Sequence, residues 1–145
     1  MTTVDEFVAS VLPRLVAADT ALHDGDASAR LALWSRSEPV TLFGAAVTAS
    51  GWTDVSGTFE WLASRFSDCT SFDYEVMAAG VSDALAYVVG IEHTVASIGG
   101  DATKYALRVT TIFRREHDEW KIVHRHGDPV DDKSTVVTQL NEAPR

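Results

Sequence analysis

Three groups of side chains in this sequence are of types that do chemistry. His124, His126 and Asp128 recur at every second position. On a strand that period sets them on one face, a spacing some metal sites use. His93 stands in a strand-like run with Tyr87, and Tyr74 lies in the strand before it; imidazole and phenol together make an acid–base pair. Arg108 and Arg125 are permanent cations suited to clamping a carboxylate or another anion, and Thr110 follows two residues after Arg108.

Each group also has a plain structural reading. Two histidines beside Trp120 pack well at an interface or in a core. With no third well-placed His or Cys, the expectation is no bound metal. A strand histidine more often makes one satisfied hydrogen bond than performs catalysis. Either arginine can pair with Glu92 or Asp128. Gly99-Gly100 reads as a turn rather than a phosphate loop, and no serine sits in a nucleophile elbow. No cofactor is expected.

These residues have to be positioned by a set of regular elements. From Val4 to Leu22 the apolar residues recur at helical spacing, Thr3 and Glu6 fit a capping box, and Pro13 predicts a kink or a restart. Gly25 ends this helix, and Asp26 is placed to cap a second one reaching Leu33 and Trp34. Pro39–Gly44 reads as a short strand. Asp54 to Phe66 reads as a third helix, with Val55, Phe59, Leu62 and Phe66 in one stripe. After Ser67 the pattern turns to strands: Ser71–Val81, Ala84–Ile98, Ala102–Glu116 and Glu119–Asp128. Helices first and a meander of long strands afterwards define an α+β fold.

Tight turns at Ser82-Asp83, Gly99-Gly100 and His117-Asp118 set a register for the meander. Under it the inner face carries Tyr74, Tyr87, His93, Arg108, Thr110 and Arg125. The outer face carries Val109, Thr111, Phe113, Trp120, Ile122, His124 and His126. That outer set is itself apolar. Either the register is one residue off, or a second copy of the sheet covers the face, and the homodimer is the preferred expectation.

Composition bounds the rest. The chain has 145 residues and a net charge of −9, which fits one domain over 1–130 with a polar tail over 131–145. The acidity argues against a nucleic-acid partner. The lone Cys69 excludes an internal disulfide, and no apolar run approaches a membrane span, so no membrane partner and a cytoplasmic location are expected.

The segment from Leu107 to Asp128, LRVTTIFRREHDEWKIVHRHGD, resembles the closing hairpin of SnoaL-like, ketosteroid-isomerase-like domains of the nuclear transport factor 2-like superfamily. The earlier stretch through Gly25-Asp26, Trp34 and Pro39 resembles the N-terminal half of the same domains. This resemblance implies a cone-shaped fold, with helices packed in a curved antiparallel sheet around a pocket. It also implies that the proton-shuttling positions of ketosteroid isomerases fall on Ala18, Leu42 and Thr110. A catalytic aspartate of related hydrolases and cyclases falls on Arg125. None of those chemistries is expected here.

The leading expectation is therefore a small-molecule-binding domain for an apolar or carboxylate-bearing ligand. Arg108 would be its anchor, Arg125, Thr110, Tyr74, Tyr87 and His93 would stand nearby, and Trp34 and Phe43 would be among the aromatic walls. The alternatives are an isomerase, dehydratase or hydrolase using His93 with Tyr74 or Tyr87, and a non-catalytic dimerisation scaffold.

Overall fold

In the computed structural model, residues 2–130 are described, so the expected tail over 131–145 lies outside the described residues. Helix α1 (Val4–His23) opens on the expected capping box between Thr3 and Glu6. It continues through Pro13, which lies on the exposed side. Helix α2 (Ser28–Leu33) starts beside Asp26, whose carboxylate accepts from the Ser28 amide at 2.9 Å and the Ser28 hydroxyl at 2.7 Å. Strands β1 (Thr41–Phe43) and β2 (Thr48–Ser50) form a short hairpin, and α3 (Trp52–Arg65) leads into the meander. Strand β2 is too short to leave a periodic signal in the sequence.

The meander is β3 (Phe66–Val81), β4 (Leu85–Ile98), β5 (Asp101–Glu116) and β6 (Glu119–Pro129). Strand β1 pairs parallel to β6, giving a six-stranded curved sheet in the order β2-β1-β6-β5-β4-β3. The three helices fill its concave side. Phe7 of α1 meets Phe113 and Trp120 edge-on at 5.3 Å each, and Trp34 meets Phe59 of α3 at 5.2 Å.

The turns at Gly99-Gly100 and His117-Asp118 form as expected, with Ile98 opposite Asp101 and Glu116 opposite Glu119. The first turn does not. Val81 pairs with Ala86, leaving Ser82–Leu85 as the connection, and a bulge at Met77 separates the Val76–Gly90 and Ala78–Val89 pairs. An extra residue in one strand exchanges its two faces beyond that point. The inward residues of β4 are accordingly Ala86, Val88, Gly90, Glu92, Thr94 and Ala96, not Tyr87 or His93. On β5 they are Val109, Thr111 and Phe113, not Arg108 or Thr110.

A second bulge, at Val123, lies between the Ile112–His124 and Phe113–Ile122 pairs. Its effect is that Arg125 and Gly127 point inward as expected, and so do Trp120 and Ile122. The apolar set assigned to the outer face is thus the core itself. That removes the reason first given for a dimer.

Candidate functional site

Between the open end of the sheet and the helices lies a cavity of about 610 Å³. Its mouth is formed by Gly44–Val47 of the β1–β2 hairpin, by Trp61, Leu62 and Arg65 of α3, and by Ile98 and Pro129 of the sheet. Leu22, Leu42, Phe66 and Leu107 make the walls. At the inner end the lining becomes polar, with His23, Arg30, Glu92, Tyr105 and Arg125.

This polar floor is assembled from five elements. Glu92 of β4 and Arg125 of β6 form a two-pronged ion pair, Nη1 to Oε2 at 2.7 Å and Nη2 to Oε1 at 2.8 Å. The guanidinium lies over Gly127. A Cβ there would stand 3.5 Å from Arg125 Nη2, an ordinary packing distance. Arg30 of α2 pairs with Asp19 of α1 and stacks on the Phe59 ring, its Cζ 5.2 Å from the centroid. Asp19, Arg30, Glu92 and Arg125 are all buried.

His23, one turn after Asp19, has both ring nitrogens engaged. Nδ1 lies 2.7 Å from the Asp19 carbonyl oxygen, which only accepts, so Nδ1 carries the proton. Nε2 then accepts from the Tyr105 hydroxyl. The ring stacks on Phe66 with centroids 4.4 Å apart. Burial, followed by the Arg125 charge, outweighs the opposing pull of Glu92 and lowers His23 to about 4. The imidazole is therefore neutral at pH 7.

Burial also raises the Tyr105 phenol. Burial, then repulsion from Arg125, brings Arg30 down to about 9, which leaves it charged at neutral pH. Burial alone would raise Glu92. Arg125, by charge and by hydrogen bonding, overcomes that and holds the carboxyl below its ordinary range. Burial likewise opposes the Arg125 charge, and Glu92 more than offsets it.

Of the ligand-site candidates drawn from the sequence, only Arg125 lines this cavity, and it is already matched with Glu92, as Arg108 is with Asp128, the two pairings offered as the arginines' structural role. Arg108 points outward, with 64% of its side chain exposed, and binds Asp128 at 2.8 Å. The expectation that Arg108 anchors a ligand inside the cone is corrected by the Met77 bulge. His93 is likewise outside, 3.4 Å from Glu75. Tyr87 lies on the outer face against Gly80, and Thr110 is outward too.

Tyr74 is inward but packs over Gly90 rather than on the cavity, where burial raises it to about 12. Trp34 is core. Phe43 stands 43% exposed on the outer face, edge-on to His124 and His126. His124 Nδ1 is 2.7 Å from the Thr41 hydroxyl, and Asp128 faces Arg108. Among the described residues no three His, Cys, Asp or Glu side chains gather as a metal site.

Glu92 was expected only as an arginine's partner, the role it has with Arg125, and Asp19 and His23 had no expected role, yet all three leave a signal in the sequence. Asp19 and His23 are i, i+4 neighbours on the apolar stripe of α1 that holds Leu15, Ala18 and Leu22. Glu92 alternates with Val88, Gly90, Thr94 and Ala96. A charged side chain on an otherwise small or apolar face marks a buried partner.

The chain belongs to the SnoaL-like domain family, whose family model matches residues 11–131. No curated protein matches it in sequence. Solved structures share the fold at low identity. A nuclear transport factor 2-like family protein from Streptomyces avermitilis is 21% identical, with a TM-score of 0.70, covering 88% of this chain and 98% of its own. A ketosteroid isomerase-like protein from Erwinia carotovora atroseptica is 17% identical, also at 0.70, covering 87% and 98%. A nuclear transport factor 2-like superfamily protein from Salmonella enterica is 13% identical at 0.70, covering 90% and 93%.

Proposed function

We propose that this SnoaL-like domain binds a small apolar molecule in the cavity between helices and sheet. One observation carries the reading: an apolar-walled space of about 610 Å³ ends on a buried, charged floor. Ligand pockets typically span about 300–1,000 Å³, with apolar walls and a few convergent polar groups. Two buried ion pairs are a weak source of stability, so their place at the end of an open cavity favours a recognition role. An open cavity also speaks against a scaffold with a vestigial, side-chain-filled pocket.

The test is a thermal melt with 2-methylnaphthalene against the wild type and against Ala46→Trp, which plugs the mouth. The reading expects the melting temperature to rise in the wild type and not in the plugged variant. No shift in either would end it.

A second reading, an isomerase, dehydratase or hydrolase, is favoured by the His23–Tyr105 pair. This is the imidazole–phenol couple expected at His93 with Tyr74 or Tyr87, found instead inside the cavity. Under that reading Tyr105 is the group that meets the substrate and His23 its proton acceptor. Turnover would then fall in Tyr105→Phe while ligand binding persisted.

We also propose a homodimer through the outer face of the sheet, now on other residues: Tyr87, Val89, Ile91 and Ile112 lie there in adjacent positions of β4 and β5. The net charge of −9 supports a partner other than nucleic acid, and the single cysteine supports a cytoplasmic setting. Among the described residues no helix is long and apolar enough to cross a membrane.

A further inference from the structure

The cavity floor is closed in charge but open in hydrogen bonding. Its ionised side chains are Asp19 and Glu92 against Arg30 and Arg125, two of each sign, and the neutral His23 adds nothing. The other groups facing it are the Tyr105 phenol of β5 and, on β4 beside it, the Thr94 hydroxyl. From α3 come only the Thr58 hydroxyl, which donates to its own helix at the Asp54 carbonyl, and Arg65, exposed at the rim where water screens it. The β1–β2 hairpin contributes only apolar side chains and glycine, Leu42 and Gly44 to Val47.

Capacity within this group is uneven. Both His23 nitrogens are occupied, and both Glu92 oxygens already accept from Arg125. The Tyr105 proton is committed to His23, and its oxygen, to which the Thr94 hydroxyl already donates, keeps one further lone pair. Each Glu92 oxygen keeps a further lone pair. Arg30 has five N–H donors, and Asp19 is its one acidic partner among the described residues. The floor therefore offers acceptors at Tyr105 and Glu92 and a donor at Arg30, with no net charge.

A carboxylate placed here would bring an unbalanced negative charge beside Glu92, in a chain already at −9. A plain hydrocarbon would leave Arg30 donors without partners. Resting on the binding reading above, we infer that the ligand is an apolar body ending in an uncharged head that both donates and accepts, a hydroxyl or a primary carboxamide. Its oxygen accepts from Arg30 and its proton goes to Tyr105 or Glu92.

Calorimetric titration at pH 7.5 with four ligands sharing one body tests this: 2-methylnaphthalene, naphthalene-2-methanol, 2-naphthamide and 2-naphthoate. The expected order places the alcohol and amide at least about tenfold tighter than both the hydrocarbon and the carboxylate, the yield of one or two hydrogen bonds to charged groups. Naphthoate binding as tightly as the amide overturns the inference, as does an amide no tighter than the hydrocarbon. Binding by 2-methylnaphthalene keeps the cavity reading apart from this one. If none of the four binds, both fail together.

The variant Asp19→Leu with Arg30→Met keeps the floor neutral and takes away the donor. The advantage of the amide over the hydrocarbon should fall below about threefold, with hydrocarbon affinity kept. An undiminished advantage removes Arg30 from the assignment. Should that variant fail to fold, the wild-type series alone still decides the head group.

Discussion

Arg125 of β6 reaches past Gly127 and across β5 to grip both carboxylate oxygens of Glu92 on β4. The pair lies diagonally in the sheet, because Arg125 is opposite Thr111 whereas Glu92 is opposite Leu107. Both side chains point to the inner face, where they meet above Val109.

Removing one partner should cost far more than removing both. Arg125→Leu leaves Glu92 buried and unpaired, an expected loss of about 3–5 kcal/mol, and adding Glu92→Leu should recover most of it. Urea unfolding at pH 7 measures both. Acid distinguishes them further. Glu92 is held below its ordinary value of 4.5, so its contribution in the wild type is complete above that pH and is lost as pH falls through its folded value. In Arg125→Leu the same carboxyl is raised, and acidification should stabilise the variant relative to the wild type.

His23 predicts a separate pH dependence. Its folded value of about 4 lies below the ordinary 6.5, so the unfolded chain binds the proton first. Stability should fall as pH drops from 6.5 toward 4, by at most about 3 kcal/mol from this group. Melting curves of His23→Gln should be flatter than the wild type over pH 7 to 5, above most carboxylate titration. Equal slopes would show that the imidazole is already accessible to protons.

The same substitution should act in opposite directions at two glycines. A Cβ at Gly90 would collide with the Glu75 carbonyl and lie 2.7 Å from Tyr74 Cε1. Gly90→Ala should therefore destabilise by about 1–3 kcal/mol. Gly57 is exposed within α3, and its Cβ would meet nothing within 4 Å. Gly57→Ala should stabilise by about 0.8–1 kcal/mol. Thermal melts of both variants give the answer, and a neutral Gly90→Ala would mean that β3 moves aside.

The proposed dimer is tested by sedimentation at micromolar concentration, which should return twice the chain mass. Val89→Glu places a charge in the middle of the outer apolar row and should yield monomer with an unchanged melting temperature. A wild-type monomer at that concentration removes the dimer.

The elements of this fold were legible in the sequence, and the faces of its strands were not. Periodicity located α1, α3 and all four long strands, because each hides one stripe from water over many residues. The Gly99-Gly100 and His117-Asp118 turns were legible because those residues take positive φ. Met77 and Val123 carry no comparable mark. A bulge is a local choice of the backbone, governed by packing on both sides of the sheet, and a single one exchanged Arg108 for Val109 and His93 for Glu92. The Glu92–Arg125 pairing was legible as one structural option, whereas Asp19, His23 and Arg30 sit on helices whose periodicity marks the apolar stripe and not the charged residues buried beside it. Tyr74, ahead of the first bulge, was placed on the correct face, and so was Arg125, because the two bulges cancel by the time the chain reaches β6.

Two contacts of the floor, the Glu92–Arg125 ion pair and the His23–Tyr105 hydrogen bond, join parts of the chain that are synthesised far apart in time. Glu92 leaves the ribosome 33 residues ahead of Arg125, and His23 leaves 82 residues ahead of Tyr105. Until β6 emerges, Glu92 has no cation opposite it in the sheet, and closing the cone over a bare carboxylate is unfavourable. On this account Arg30 is the one floor cation available to Glu92 before β6, and pairing with Arg125 completes the charge balance only when the last strand joins the sheet.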